Sequence, residues 1–165
     1  MDAERPIYFV RHGDYDESHP DDRFGRLNER GIAQAYRAAE ALSDIGGEAT
    51  LLSSSAARTV ETAEIIGRVL GIEPRVSEEL YRHGNFATEV LHTGDLEQLL
   101  GDALAESGLT FEAVDRLVVV NHMPLMGLVK GLRTGGVEII LNGEIVEYDP
   151  GTWIPLAEWS SPRRG

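Results

Sequence analysis

Three short apolar stretches, each yielding to polar residues at its carboxyl end, set the rhythm of this chain: Ile7-Tyr8-Phe9-Val10, Thr50-Leu51-Leu52-Ser53 and Leu117-Val118-Val119-Val120. Runs of this length without strict alternation are the mark of strands buried on both faces, as at the centre of a parallel sheet. Helical spacing separates them. Behind Asn28, a good N-cap, Ile32, Ala35, Tyr36, Ala39 and Leu42 recur at helical intervals, and Gly46-Gly47 closes the segment. Ser54 and Ser55 suit the cap of a second helix with Val60, Ala63 and Leu70 on its inner face; with Ser55 as the cap, Arg58 falls at the third helical position. Asp95 opens a third helix carrying Leu96, Leu99, Leu100, Ala103 and Leu104, which Gly108 ends. Pro124 suits the first turn of a fourth, with Leu125, Leu128, Val129 and Leu132.

The remaining segments lack helical period. Residues 14–22 form an acidic run with a proline, read as a loop over the mouth of a site, and residues 77–85 read as irregular. Residues 136–140 and 144–148 alternate around the turn pair Asn142-Gly143; Asp149-Pro150-Gly151 is a second turn, residues 152–159 a last strand and 160–165 a frayed tail. Strands alternating with helices predict an α/β fold, a three-layer α/β/α arrangement with a mostly parallel central sheet. No Pro/Ser/Gly-rich linker divides the 165 residues, so a single domain over residues 1–165 is expected.

Composition narrows the classes. Hydrophobic content of 42% and 26% charged residues belong to an ordinary globular chain, which sets aside disorder and a membrane span. A formal net charge of -13 with no Lys/Arg stripe disfavours nucleic acid and anionic membrane as partners. Absence of cysteine removes thiol nucleophiles, thiolate metal ligands and disulfides. With no leader-like segment at the start, a cytoplasmic location is expected.

Candidate chemistry collects where strands end. Parallel strands bring their carboxyl ends to one side of a sheet, which is where such sheets place ligands. There the chain puts Arg11-His12-Gly13 after the first run, Arg58 after the second and Asn121-His122 after the third. Arg offers fixed positive charge and planar donors matched to phosphate, and His can trade a proton or attack as a nucleophile near neutrality. Each element has an ordinary reading as well. Arg11 can be half of a surface ion pair, Arg58 a side chain swung into water, and His122 a hydrogen-bonded structural residue. His19 carries no partner signal, His92 reads as a surface residue and His83 is ambiguous; no His/Asp/Glu cluster has metal-ligand spacing, so neither metal nor cofactor is implied.

Three ordered motifs decide among these readings: Phe9-Val10-Arg11-His12-Gly13, Ser53 through Ala63 with Arg58 at its centre, and Val119-Val120-Asn121-His122-Met123-Pro124-Leu125. Together they resemble the histidine phosphatase superfamily, which also contains cofactor-dependent phosphoglycerate mutases, and within it the small SixA-type phosphohistidine phosphatases. The resemblance implies a phosphoglycerate mutase-like fold and a metal-independent phosphatase. His12 would be the nucleophile that is transiently phosphorylated, and Arg11, Arg58 and His122 would surround the phosphoryl group. His12 must then be unprotonated, so activity is expected to fail at low pH, whereas His122 is more useful as a donor to a phosphoryl oxygen.

Two departures from the family bear on substrate. Where mutases and many phosphomonoesterases carry a general-acid Glu, this chain has Arg82; His83 and Glu89 are the substitutes at hand. An alkoxide leaving group needs that proton far more than the imidazole of phosphohistidine does, so a missing acid favours P–N over P–O cleavage. Asn121 stands where the family usually has a small Gly or Ser, and either narrows the pocket or adds a donor. The expected substrate is therefore phosphohistidine in a phosphorylated protein. A small-molecule phosphomonoesterase is the enzyme alternative, and a phosphoprotein-binding module without turnover the alternative from another class. Nothing in the sequence supplies the second phosphate site of a mutase or a signal for oligomeric state.

Overall fold

A computed structural model describes residues 7–43, 49–84, 93–122, 125, 143, 145–148 and 158–159. In chain order the elements are β1 (Ile7–Arg11), α1 (Glu29–Leu42), β2 (Ala49–Ser54), α2 (Ala57–Leu70), β3 (Pro74–Ser77), α3 (Glu78–Gly84), α4 (Thr93–Ala105), β4 (Arg116–Asn121), β5 (Ile145–Tyr148) and β6 (Glu158–Trp159). All six strands join one sheet in the order β3-β2-β4-β1-β5-β6. The first four are parallel, and β5 and β6 continue antiparallel from the β1 edge.

Alternate side chains of the central strands feed two cores. Ile7, Phe9, Leu52, Leu117 and Val119 pack with Leu80 of α3 and Leu96, Leu100, Ala103 and Leu104 of α4. Val10, Leu51, Val118 and Val120 face the other way, onto Ala38, Ala39 and Leu42 of α1 and Ala63 and Ile66 of α2. Both faces of the sheet are thus covered, giving the expected three layers. Fully burying each of these Leu, Ile, Val or Phe side chains contributes about 1.5–3 kcal/mol, which is why the central strands read as unbroken apolar runs. Among the described residues no helix is long and apolar enough to cross a membrane.

Several local expectations shift. Asn28 caps α1 as predicted, its side chain accepting from the Gly31 amide at 2.8 Å. The buried face is instead Gln34, Ala35, Ala38, Ala39 and Leu42, while Ile32 and Tyr36 lie exposed. Small side chains let the helix approach the sheet, so alanines rather than the bulkier residues form the seam. The N-terminus of α1 also presses on the loop after β1: a Cβ on Gly31 would collide with Asp14, and one on Gly13 with the Gly31 backbone.

Neither Ser54 nor Ser55 caps α2. Its N-cap is Ala56, with no side-chain cap bond, because both hydroxyls serve other partners. Arg58 is consequently the second helical residue. Val60 and Leu70 are only half-buried, the inner face running instead through Thr59, Thr62, Ala63 and Ile66. The stretch read as irregular is ordered: Ser77 ends β3 and its hydroxyl accepts from the Leu80 amide at 3.1 Å, starting α3. A seven-residue helix is too short for periodicity to announce it. The expected third helix is α4, beginning at Thr93, two residues before Asp95, and Gly108 follows it with φ of 72°. Gly46-Gly47, Glu89, His92, most of the Pro124 helix, residues 136–140, the turn at 149–151 and the tail lie outside the described residues.

Candidate active site

The sheet order sets the ends of β2, β4 and β1 side by side, so Ser54, Asn121 and Arg11 become neighbours and the following residues converge. The His12 amide donates to the Asn121 carbonyl at 3.1 Å, joining the two histidine-bearing corners. From the second corner Thr62 ties in: its hydroxyl accepts from the Gly13 amide at 3.1 Å and donates to the Arg58 carbonyl at 2.8 Å. These bonds fix the starts of α2 and of the loop after β1 against each other.

His12, Arg58 and His122 are all buried, and the two imidazole centroids are 5.4 Å apart. His12 Nδ1 lies 2.8 Å from the Gly13 carbonyl, which can only accept, so Nδ1 carries the proton and Nε2 keeps its lone pair. Burial, foremost, then the mutual repulsion that charging both His12 and His122 would create, and the positive charge of Arg11 and Arg58, lower the His12 pKa well below the ordinary imidazole value. Burial followed by Arg58 and Arg11 lowers that of His122 in the same way. At neutral pH both rings are uncharged and the two guanidiniums carry the positive charge. The acid failure expected of His12 therefore begins at lower pH than an exposed imidazole would set.

Arg58 is not swung into water. Its guanidinium stacks 4.5 Å from the Tyr15 ring centre, donates through Nη1 to the Asp22 carbonyl at 2.6 Å, and reaches Asp22 Oδ2 at 3.1 Å and His122 Nδ1 at 3.2 Å through Nη2. In this geometry His122 accepts from Arg58, so the donor role expected of it requires a further proton. Arg11 joins the group electrostatically, acting on both rings. His12, Arg58 and His122 are thus gathered around one centre, with Arg11 at the adjoining end of β1.

Other side chains complete the pocket and were not singled out from the sequence. Tyr15 packs edge-on against His12, and Tyr81 against His122, with centroids 5.3 and 5.8 Å apart. Asp22 bridges Arg58 and the Tyr81 hydroxyl, which donates to Oδ2 at 3.1 Å. Ser54 Oγ lies 2.7 Å from His122 Nε2. A carboxylate in an acidic loop resembles any solvated charge, and Tyr81 fell in the stretch that looked irregular. Only the serine, placed between a strand and Arg58, carried a readable signal.

Of the two substitute acids, Glu89 is outside the described residues and His83 lies apart from this group. Arg82 and His83 are mostly exposed and both pair with Glu79, at 3.6 and 3.0 Å. Asn121 is fully buried, and neither of its amide atoms has a hydrogen-bond partner among the described residues. His19 is exposed in its loop as expected, bonded to Asp21. Among the described residues no group of three or more His, Asp or Glu side chains could hold a metal ion.

Comparison with known proteins identifies the family and the fold. The sequence model of the histidine phosphatase superfamily (branch 1) matches residues 7–106. No curated protein sequence matches the chain. Among solved structures, protein histidine phosphatase SixA in complex with tungstate superposes with a TM-score of 0.70 at 22% identity, covering 94% of this chain and 96% of that one. The SixA of Agrobacterium tumefaciens gives 0.68 at 21% identity, with coverage of 94% and 98%. A mycobacterial glucosyl-3-phosphoglycerate phosphatase gives 0.63 at 19% identity, with coverage of 87% and 89%.

Proposed function

The chain belongs to the histidine phosphatase superfamily and is a phosphatase of that group, and we propose that it removes phosphate from phosphohistidine in a protein substrate through a phosphohistidine intermediate of its own. The observation that carries this reading is the pair of buried, neutral imidazoles 5.4 Å apart beside Arg58, with His12 Nε2 left as the free nucleophilic atom. His12 Nε2 attacks phosphorus in line and forms a P–N bond as the substrate's P–N bond breaks; the substrate imidazole leaves with the bonding pair and takes up a proton. Water then attacks the phosphorylated His12, releasing phosphate and restoring the ring. Arg11, Arg58 and His122 hold the three equatorial oxygens, on which the charge of a loose phosphoryl transition state is spread. None of these steps calls for a metal or cofactor.

The choice of P–N over P–O rests on the departure at Arg82 and on the placement of His83, the substitute acid that lies among the described residues. Arg82 cannot give a proton, and His83 is exposed and held by Glu79. Asp22 is in the pocket, but its Oδ2 accepts from both Arg58 and Tyr81, the position of a carboxylate rather than an acid. A cytoplasmic site of action fits a chain without cysteine. The same Asp22–Tyr81 contact favours the second reading, a small-molecule phosphomonoesterase, should that pair protonate an alkoxide.

Side-by-side turnover of a phosphohistidine peptide and an alkyl phosphate separates the two. Faster release from the peptide is expected, and efficient cleavage of the ester alone overturns the substrate reading. Binding of the phosphopeptide without any release would instead identify a non-catalytic module.

A further inference from the structure

The hydroxyls of Ser54 and Thr59 form a hydrogen-bond chain behind His122 whose direction can be read from its ends. Thr59 Oγ1 lies 2.9 Å from the carbonyl oxygens of both Ser54 and Ala56, which only accept, so Thr59 spends its proton there. With those acceptors available to Thr59, the contact of 2.6 Å between Thr59 Oγ1 and Ser54 Oγ is open to donation by Ser54. With its own proton used, Ser54 Oγ can only accept from His122 Nε2, 2.7 Å away. The other side of the ring requires the same tautomer independently: Arg58 Nη2 has no lone pair, so His122 Nδ1 at 3.2 Å must be the acceptor.

We propose that Thr59, through Ser54, is a positioning residue that pins the permanent proton of His122 on Nε2, so that the exchangeable proton site is Nδ1, the atom facing Arg58. Resting on the reading of the pocket as a phosphoryl site, this makes His122 a ring with two states. Without ligand, Nδ1 accepts from Arg58. When a phosphoryl dianion draws the Arg58 donors onto its oxygens, Nδ1 takes one proton from solvent and donates it to the anion, while Nε2–H stays on Ser54. The expected donor role of His122 and its observed acceptor role are then successive states of one ring. The groups facing the ring agree with an uncharged resting state: Arg58 from α2, Arg11 and His12 from the end of β1, and Tyr81 from α3, with Asp22 reached only through Arg58 and Tyr81. Burial and the two arginines hold the pKa of His122 down until an anion arrives to offset them.

Nitrogen-15 NMR of the imidazole rings in the full chain tests this without reference to substrate. Free wild-type protein at pH 7 is expected to show His122 protonated at Nε2 alone, and tungstate-saturated protein to show it protonated on both nitrogens. Calorimetry in buffers of different ionisation enthalpy should register uptake of about one proton per tungstate bound, the amount required by linkage if Nδ1 is filled. In Thr59→Val the Nε2–H preference should weaken toward what the Arg58 contact alone imposes and proton uptake fall, with both restored in Thr59→Ser. An Nδ1–H tautomer in the free wild type, or a Thr59→Val spectrum identical to wild type, overturns the proposal. Neither result would touch the phosphohistidine reading, which the turnover comparison decides separately.

Discussion

The pocket floor and its rim are built from opposite materials. On the floor, His12, Arg58 and His122 are almost wholly removed from solvent and each is held by backbone carbonyls, hydroxyls or one another. At the rim, the loop after β1 is tied to α3 and α2 by ion pairs that stay wet: Arg23 with Glu78, whose side chains are 37% and 41% exposed, and Arg26 with Glu61. Burial turns small displacements into large changes of protonation and charge, whereas exposed pairs contribute about 0–1 kcal/mol each and are screened by salt. The floor is therefore where chemistry is set, and the rim is where a substrate surface can be accommodated at little cost.

That contrast is broken most severely at its centre. His12→Ala should remove acid-labile phosphate from the protein after incubation with phosphohistidine substrate and lower turnover by at least about 10⁴-fold, the scale of losing a nucleophile. A labelled His12→Ala protein would place the nucleophile elsewhere.

Acidification tests whether the floor is as dry as its geometry indicates. Both histidines have folded pKa values below the unfolded value of about 6.5, so between those values the unfolded chain binds more protons. Their contribution to stability is complete above about pH 6.5 and is lost as pH falls below it, at up to about 1.4 kcal/mol per pH unit for each ring. Denaturant midpoints from pH 7 to 5 should fall accordingly, with a shallower decline in His122→Gln. Over the same range kcat/KM should not begin to fall until the pH is well below 6.5. A kinetic midpoint at 6.5 would mean that His12 is solvated.

Asp22 joins rim to floor. Its carboxylate uses Arg58 Nη2, a donor that a phosphoryl oxygen would also use. Asp22→Asn should tighten tungstate binding about fivefold, the equivalent of about 1 kcal/mol for a half-exposed pair. Weaker binding would show that Asp22 orients Arg58 instead of competing for it.

The smallest effect is expected at the outer rim. Glu78→Gln removes a partner shared by Arg23 and Ser55 and should change stability by no more than about 1 kcal/mol, with kcat/KM on a small phosphoramidate within about threefold of wild type. A larger loss would show that loop placement by α3 is part of the chemistry.

The sequence by itself determined the sheet strands β1, β2 and β4, three of the four helices among the described residues and the three-layer fold, and it pointed to His12, Arg58 and His122, which the structure places together on the floor. Those signals are local: an apolar run needs burial on both faces, and a polar residue at its carboxyl end must emerge where parallel strands end. Only the tertiary structure decided that Asp22 and Tyr81 meet over Arg58, that alanines line the seam of α1, and that Ser54 serves His122 instead of capping α2. Asp22 and Arg58 are 36 residues apart and Ser54 and His122 68. Over such separations no period or spacing links two side chains; packing alone chooses the partners, and burial then sets the protonation of each ring.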